Sequence, residues 1–418
     1  MASILMAAFA LGLLLMVALK YWLAWRQMRH VSLHADAVPA QFEGRVSLAA
    51  HRKAAAYTIA RTRLGIVDTL VGAVALLALT LLGGLQLISD GLQQWLGTGL
   101  GYQVALVASV VLLLGLVDLP LAWVRQFRIE QRFGFNRMSL GLWLADLAKS
   151  ALLTALLGLP LLAVVLWLWA RAGEYWWLWA WAVWVGFNLL VLLAYPTLIA
   201  PLFNKFVPLS DDTLAARIHG LLERAGFASR GVFVMDGSRR SAHGNAYFTG
   251  LGRAKRIVFF DTLIERLAPS EIEAVLAHEL GHFKLRHIAK RMAFSFAMSF
   301  VALALLGWLA QQPWFYLGLG VDPTLGGRND GLALLLFMLV LPVFAFPLAP
   351  LASLLSRRHE FEADAYAAQV ASGPDLARAL VKLYEDNAAT LTPDPLHSAF
   401  YDSHPPAALR LARLPSPT

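Results

Sequence analysis

Ala151-Leu-Leu-Thr-Ala-Leu-Leu-Gly-Leu-Pro160-Leu-Leu-Ala-Val-Val-Leu-Trp-Leu-Trp-Ala170 is a run of twenty residues without a charge. As a helix it would extend about 30 Å, the thickness of a bilayer's hydrocarbon core. Seven such apolar runs lie near residues 3–25, 64–88, 102–124, 148–170, 176–200, 292–311 and 331–353. Several contain proline (Pro120, Pro160, Pro196, Pro342, Pro347), which membrane helices accept when neighbours satisfy the freed backbone groups. Charged residues make up only 15% of the chain, against roughly a quarter in a soluble domain. The pattern predicts an α-helical integral membrane protein with seven spans. Residues 2–25 read as a retained span rather than a secretory leader, because the first positive charge, Lys20, follows the apolar stretch.

The net charge of +8 invites a nucleic-acid reading, but the Lys and Arg residues are scattered among loops. Residues 26–63 and 125–149 are rich in them, whereas 89–101 has none. Basic loops stay cytoplasmic. That rule predicts an N-terminus outside, a C-terminus inside, and residues 201–291 and 354–418 facing one compartment. No nucleic-acid partner is expected. With no cysteine, the chain excludes disulfides, thiolate metal ligands, a cysteine nucleophile and its own prenylation.

Four regions follow. Residues 1–203 hold five spans and their loops, 204–291 form a small α/β insertion, 292–355 hold spans six and seven, and 356–418 form a C-terminal segment. In the insertion, Asp211–Ala225 has helical periodicity, and Gly231–Met235, Ala246–Phe248 and Arg256–Phe260 read as short strands. A helix is predicted from Pro269-Ser-Glu-Ile-Glu273, with Ser270 as N-cap and Glu273 completing a capping box.

That helix carries His278-Glu279-Leu280-Gly281-His282. Residues i and i+4 share a helical face, so both imidazoles can converge on one zinc ion, with Glu279 in reach of a water that the ion activates. The bland alternative is a surface helix with two histidines, which leaves the apolar flank Val275-Leu-Ala277 unexplained. A catalytic zinc needs a third protein ligand. Glu360 and Asp364, at i and i+4 after the seventh span, supply a candidate ligand and a candidate acceptor for a ligand histidine's free N–H. The alternative is a charged helix start. Glu362 points to another face, and His243 and His287 read as ordinary polar residues.

His278-Glu-x-x-His282 followed by Glu360-x-x-x-Asp364 resembles the type I CAAX prenyl endopeptidase family of membrane zinc metalloproteases. Arg128-Ile-Glu-Gln-Arg-Phe-Gly-Phe-Asn136, Pro201-Leu-Phe-Asn-Lys-Phe-Val-Pro-Leu209, His243-Gly-Asn-Ala-Tyr-Phe248 and Ser403-His-Pro-Pro406 with Arg410 are similar to further family motifs. The resemblance implies seven helices around a water-filled chamber with one Zn2+ per chain, held by His278, His282 and Glu360. It makes Glu279 the base, and Asn245, Ala246 and Tyr247 an edge strand that pairs with substrate. It also gives His404 and Arg410 the task of steadying the scissile peptide or its oxyanion. Without it, Asn245 could serve a turn, His404 a loop, and Arg410 lipid headgroups. One departure is Phe283, where the family commonly has tryptophan.

The expected activity is peptide hydrolysis by metal-activated water on a peptide or protein, lipidated or not, at the cytoplasmic face of a bacterial inner membrane. A general quality-control protease of the membrane is the runner-up. A transporter fits less well, since few ionisable residues (Asp68, Asp118) lie mid-span.

Overall fold

In the computed structural model, which describes residues 1–227, 229, 231–249, 256–323 and 328–414, seven helices are long and apolar enough to cross a membrane. They run Ala2–Leu33, Leu48–Leu79, Leu100–Phe133, Leu140–Arg171, Gly173–Leu202, His287–Leu309 and Asp330–Val370. The protein is an integral membrane protein.

The helix ends differ from the sequence reading, most at the second and seventh spans. The second helix begins at Leu48, where the Ser47 hydroxyl accepts from the Ala50 amide at 3.1 Å, so the basic, alanine-rich stretch before the span is helical too. It stops at Leu79, short of the expected residue 88. Gly83, at φ +80°, turns the chain into a separate helix, Gly84–Leu96. The seventh helix does not end at residue 353 or 355. Asp330–Ala345 passes through a tight turn at Phe346–Leu348 and continues as Ala349–Val370, so the Glu360 stretch extends the last span. Pro342 and Pro347, each lacking an N–H, account for the interruption. The boundaries drawn at 291/292 and 355/356 both fall inside helices.

Successive spans pack side by side, and the seventh returns to the first, closing a ring. The first six bury at most 17% of the residues in their apolar windows. At one end the ring is plugged by an apolar cluster that includes Phe9, Tyr102, Leu106, Trp176, Phe315 and Leu336.

The insertion sits at the other end. Its sheet has four strands, β1 (Phe206–Pro208), β2 (Val232–Met235), β3 (Ala246–Thr249) and β4 (Arg256–Phe260), in the order β1-β2-β4-β3. β2 and β4 are parallel and the other pairs antiparallel, which leaves β3 at an edge among the described residues. β1 falls in the Pro201–Leu209 motif and was not anticipated. Ile218, Leu221, Phe259, Leu276 and Leu280 are at most 1% exposed between the sheet and the helices Asp212–Ala225 and Pro269–Lys284. Each such side chain contributes about 1.5–3 kcal/mol by leaving water.

The Pro269–Lys284 helix is capped two residues earlier than expected. Ala268 is the N-cap, Pro269 takes the first position, where a missing N–H costs nothing, and Glu271 accepts from the Ala268 amide at 2.8 Å. Ser270 instead donates to Asp375 at 3.0 Å, and Glu273 pairs with Arg217 and Arg224.

Candidate metalloprotease site

The two histidines of the Pro269–Lys284 helix face Glu360 of the Ala349–Val370 helix, which crosses it closely. His278 Nε2 lies 3.2 Å from His282 Nε2 and 3.5 Å from Glu360 Oε2, and His282 Nε2 lies 3.4 Å from Glu360 Oε1. A tetrahedral site with metal–ligand distances of 2.0–2.1 Å has edges of about 3.3 Å, close to the spacing of the two imidazole nitrogens and of each from its nearer Glu360 oxygen. Glu360 Oε2 is buried with no hydrogen-bond partner, a costly state for a carboxylate oxygen unless a cation answers it. The donor set therefore fits a metal.

Asp364, one turn on, accepts from His278 Nδ1 at 2.9 Å and from Arg410 Nη2 and Nε at 2.6 and 2.8 Å. This fixes the His278 proton on Nδ1 and leaves the Nε2 lone pair for the ion. Burial lowers the His278 pKa, but its bonds to Asp364 and Glu360 outweigh burial and lift it to about 9. The site is short of positive charge, which a divalent ion would supply in place of that proton. Burial, reinforced by the charge of His278, presses His282 down to about 4. Burial also raises Glu279 above the ordinary carboxylate value.

Glu279 lines a cleft of about 320 Å³ together with His278, Glu360, Asn245, His404 and Arg410. His404 Nε2 lies 3.5 Å from Glu360 Oε2. Arg410, 5% exposed, spends Nε and Nη2 on Asp364 and turns Nη1 to within 3.9 Å of Glu360. Its buried guanidinium does not reach out to lipid headgroups.

Edge strand β3 forms one wall. The Asn245 carbonyl accepts from the Phe260 amide, so by antiparallel alternation the Tyr247 backbone also faces β4, while Ala246 and Phe248 present theirs to the open edge. The Tyr247 backbone thus faces inward, its ring packs against Phe260 and its hydroxyl against Met235. Asn245 lies in the cleft, its Oδ1 accepting from the Ala246 amide at 2.8 Å.

The Arg128–Asn136 motif braces this wall. Glu130 accepts from Tyr57 at 2.6 Å and stands 3.5 Å from His243 Nε2, while His243 Nδ1 donates to Asn387 at 2.9 Å and stacks on Phe135. Tyr384 lines the cleft as well, on a helix, Gly373–Asp386, whose sequence carries only an amphipathic pattern and no motif. Phe283 meets Phe227 and Phe248 edge-on in the insertion's core.

The comparisons agree with this geometry. Residues 27–205 match the family model described as CAAX prenyl protease N-terminal, five membrane helices, and residues 208–418 match peptidase family M48. The chain is 37% identical over 315 residues to CAAX prenyl protease 1 homolog of Arabidopsis thaliana, covering 74% of this chain and 72% of that protein. It is 37% identical over 334 residues to CAAX prenyl protease 1 of Saccharomyces cerevisiae, covering 75% and 73%. The crystal structure of S. mikatae Ste24p superposes with a TM-score of 0.90 at 30% identity over 99% of both chains. With two histidines and a buried glutamate gathered as a donor set at the end of a ring of seven spans, the chain belongs to the CAAX prenyl protease group of peptidase family M48 and is a membrane-embedded metalloendopeptidase.

Proposed function

We propose that the chain is a zinc endopeptidase whose substrates are peptides or proteins carrying a prenylated C-terminal region. The observation that carries this reading is a row of adjoining cavities, neighbours sharing lining residues, from between the spans to the candidate ligands. A cavity of about 560 Å³ between the first two spans, lined by Leu14, Val17, Ile66 and Leu70, shares Thr62, His397 and Tyr401 with one of about 950 Å³. The larger cavity in turn shares Asn245, Tyr384 and His404 with the cleft. An apolar chain lying among the spans would leave an attached peptide in reach of the site.

His278, His282 and Glu360 would hold zinc, with Asp364 orienting His278. When bound, zinc supplies Lewis acidity at the scissile carbonyl and makes water a nucleophile near neutral pH. Glu279 takes the water's proton and returns it to the leaving amine. His404 and Arg410 Nη1 face the cleft where negative charge develops on the carbonyl oxygen. The open edge of β3 at Ala246 and Phe248 takes the substrate backbone as an added strand, with Asn245 giving up the Ala246 amide.

The test is to purify the protein in detergent, measure bound zinc, and follow cleavage of a prenylated peptide beside its unmodified twin. Preference for the prenylated peptide is expected. Equal rates would favour the quality-control reading, and cleavage of neither peptide at full zinc occupancy would overturn the substrate class. We assign the site to the cytoplasmic face and the N-terminus to the opposite side of a bacterial inner membrane. The basic loops 26–63 and 125–149 support the sidedness, and the Ala-, Leu- and Arg-rich composition supports the compartment. Because the chain has no cysteine, Glu43→Cys and Thr98→Cys read this directly. An impermeant maleimide on inside-out vesicles should label the first and spare the second.

A further inference from the structure

We infer that His287 and Glu362, which belong to none of the roles above, form a two-step relay that orients His282 for the metal. The inference rests on the ligand set proposed above and adds the groups that set its second imidazole.

The contacts fix every proton in the relay. His282 Nε2 faces His278 and Glu360, so it must keep its lone pair, and its proton sits on Nδ1. That Nδ1–H lies 3.0 Å from His287 Nδ1, which must therefore accept. The His287 proton then sits on Nε2, 3.0 Å from Glu362 Oε2, a carboxylate that can only accept. Glu362 Oε1 in turn accepts from Arg358 Nε at 2.9 Å. Each role follows from its neighbour, and the chain ends in a charge.

Rigid surroundings hold the relay. His287 is 1% exposed, and its ring stacks on His359 at 4.1 Å and 11°. Arg286 adopts a left-handed φ of 59°, which turns the chain between the Pro269–Lys284 helix and the sixth span so that the span's first residue, His287, lies back against His282. The two ligand imidazoles are thus supported differently, His278 directly by Asp364 and His282 through a second imidazole.

His287, His359 and Glu362 also bring three donor atoms within 4.8 Å of one another. Stacked parallel rings direct their lone pairs side by side rather than toward one point, and both His287 nitrogens are already engaged. This trio supports His282 and is not a second ion site.

The experiment is zinc affinity in the purified full-length protein, measured by chelator competition, with the visible spectrum of the cobalt-substituted form as a report on ligand geometry. His287→Ala should weaken zinc about 10- to 100-fold and alter the cobalt bands. His287→Asn, whose amide oxygen can occupy the Nδ1 position, should restore affinity to within about threefold, a rescue that a merely structural role would not produce. Should His287→Ala fold poorly, the partly exposed Glu362→Ala gives the same reading. Either alanine variant binding zinc as tightly as wild type would overturn the relay, as would a second equivalent of zinc that disappears in His359→Ala. A wild-type protein that binds no zinc would instead sink the ligand set itself.

Discussion

Gly281 touches Ala363: a Cβ built on the glycine would lie 3.0 Å from the Ala363 Cα and 3.2 Å from its carbonyl oxygen. The two backbones meet where one helix carries both histidines and the other carries Glu360, so this contact sets the spacing of the donors. Gly281→Val must push the helices apart. An ångström of misplacement costs about a hundredfold in rate, and a kcat drop of that size with weakened metal binding is the expected result. A valine variant with wild-type kcat would show that the crossing has slack.

Glu279→Gln removes the proposed base and leaves the proposed donors alone. Metal content should stay at the wild-type level while turnover falls about 10²- to 10⁴-fold, the usual share of a positioned acid–base group. Metal analysis alongside kcat separates the outcomes. Wild-type turnover in this variant would mean that another group takes the proton.

Metal removal should act on stability as well as rate. The folded chain gathers three donors that the unfolded chain scatters, so zinc at a hundredfold excess over its Kd should add about 2.7 kcal/mol. Dialysis against a chelator should therefore abolish cleavage and lower Tm, and added zinc should restore both. An unchanged Tm alongside full reactivation would show that folding and metal binding are uncoupled.

Asp394 ties the C-terminal segment to the first membrane helix. It is 2% exposed and accepts from Arg26 at 2.9 and 3.3 Å and from the amides of Leu396 and His397. Burial would raise its pKa, but the Arg26 guanidinium and the two amides together prevail and hold the carboxyl below its ordinary value. A depressed folded-state pKa means that the stabilisation is complete above the unfolded value, near about 3.9, and is lost as pH falls through the folded one. Asp394→Asn should therefore cost about 1–3 kcal/mol at pH 7 and flatten the fall in Tm below pH 4. An acid limb identical to wild type would refute the assignment.

The parts legible in the sequence were those written in local spacing. His278 and His282 stand four positions apart, as do Glu360 and Asp364, and helical periodicity alone puts each pair on one face. The apolar runs revealed seven spans because lipid demands about twenty apolar residues wherever a helix crosses. Ends were harder to read. Nothing in Leu48–Arg63 says membrane, yet the helix runs through it, and Pro269 rather than Ser270 decides where the motif helix begins. Which backbone groups of the edge strand point inward is set by its pairing register, and Tyr247 falls on the inward beat. His287 read as an ordinary polar residue because its partners, His282 across a turn and Glu362 from the continuation of the seventh span, meet only in the folded chain.

The continuation of the seventh span into the Glu360 helix has a practical corollary. Two donors ride on a water-facing module and the third on a rod whose other half is embedded in lipid. No excised soluble fragment of the insertion can carry the whole site, and anything that tilts that rod, from bilayer thickness to choice of detergent, acts directly on the geometry of the three candidate donors.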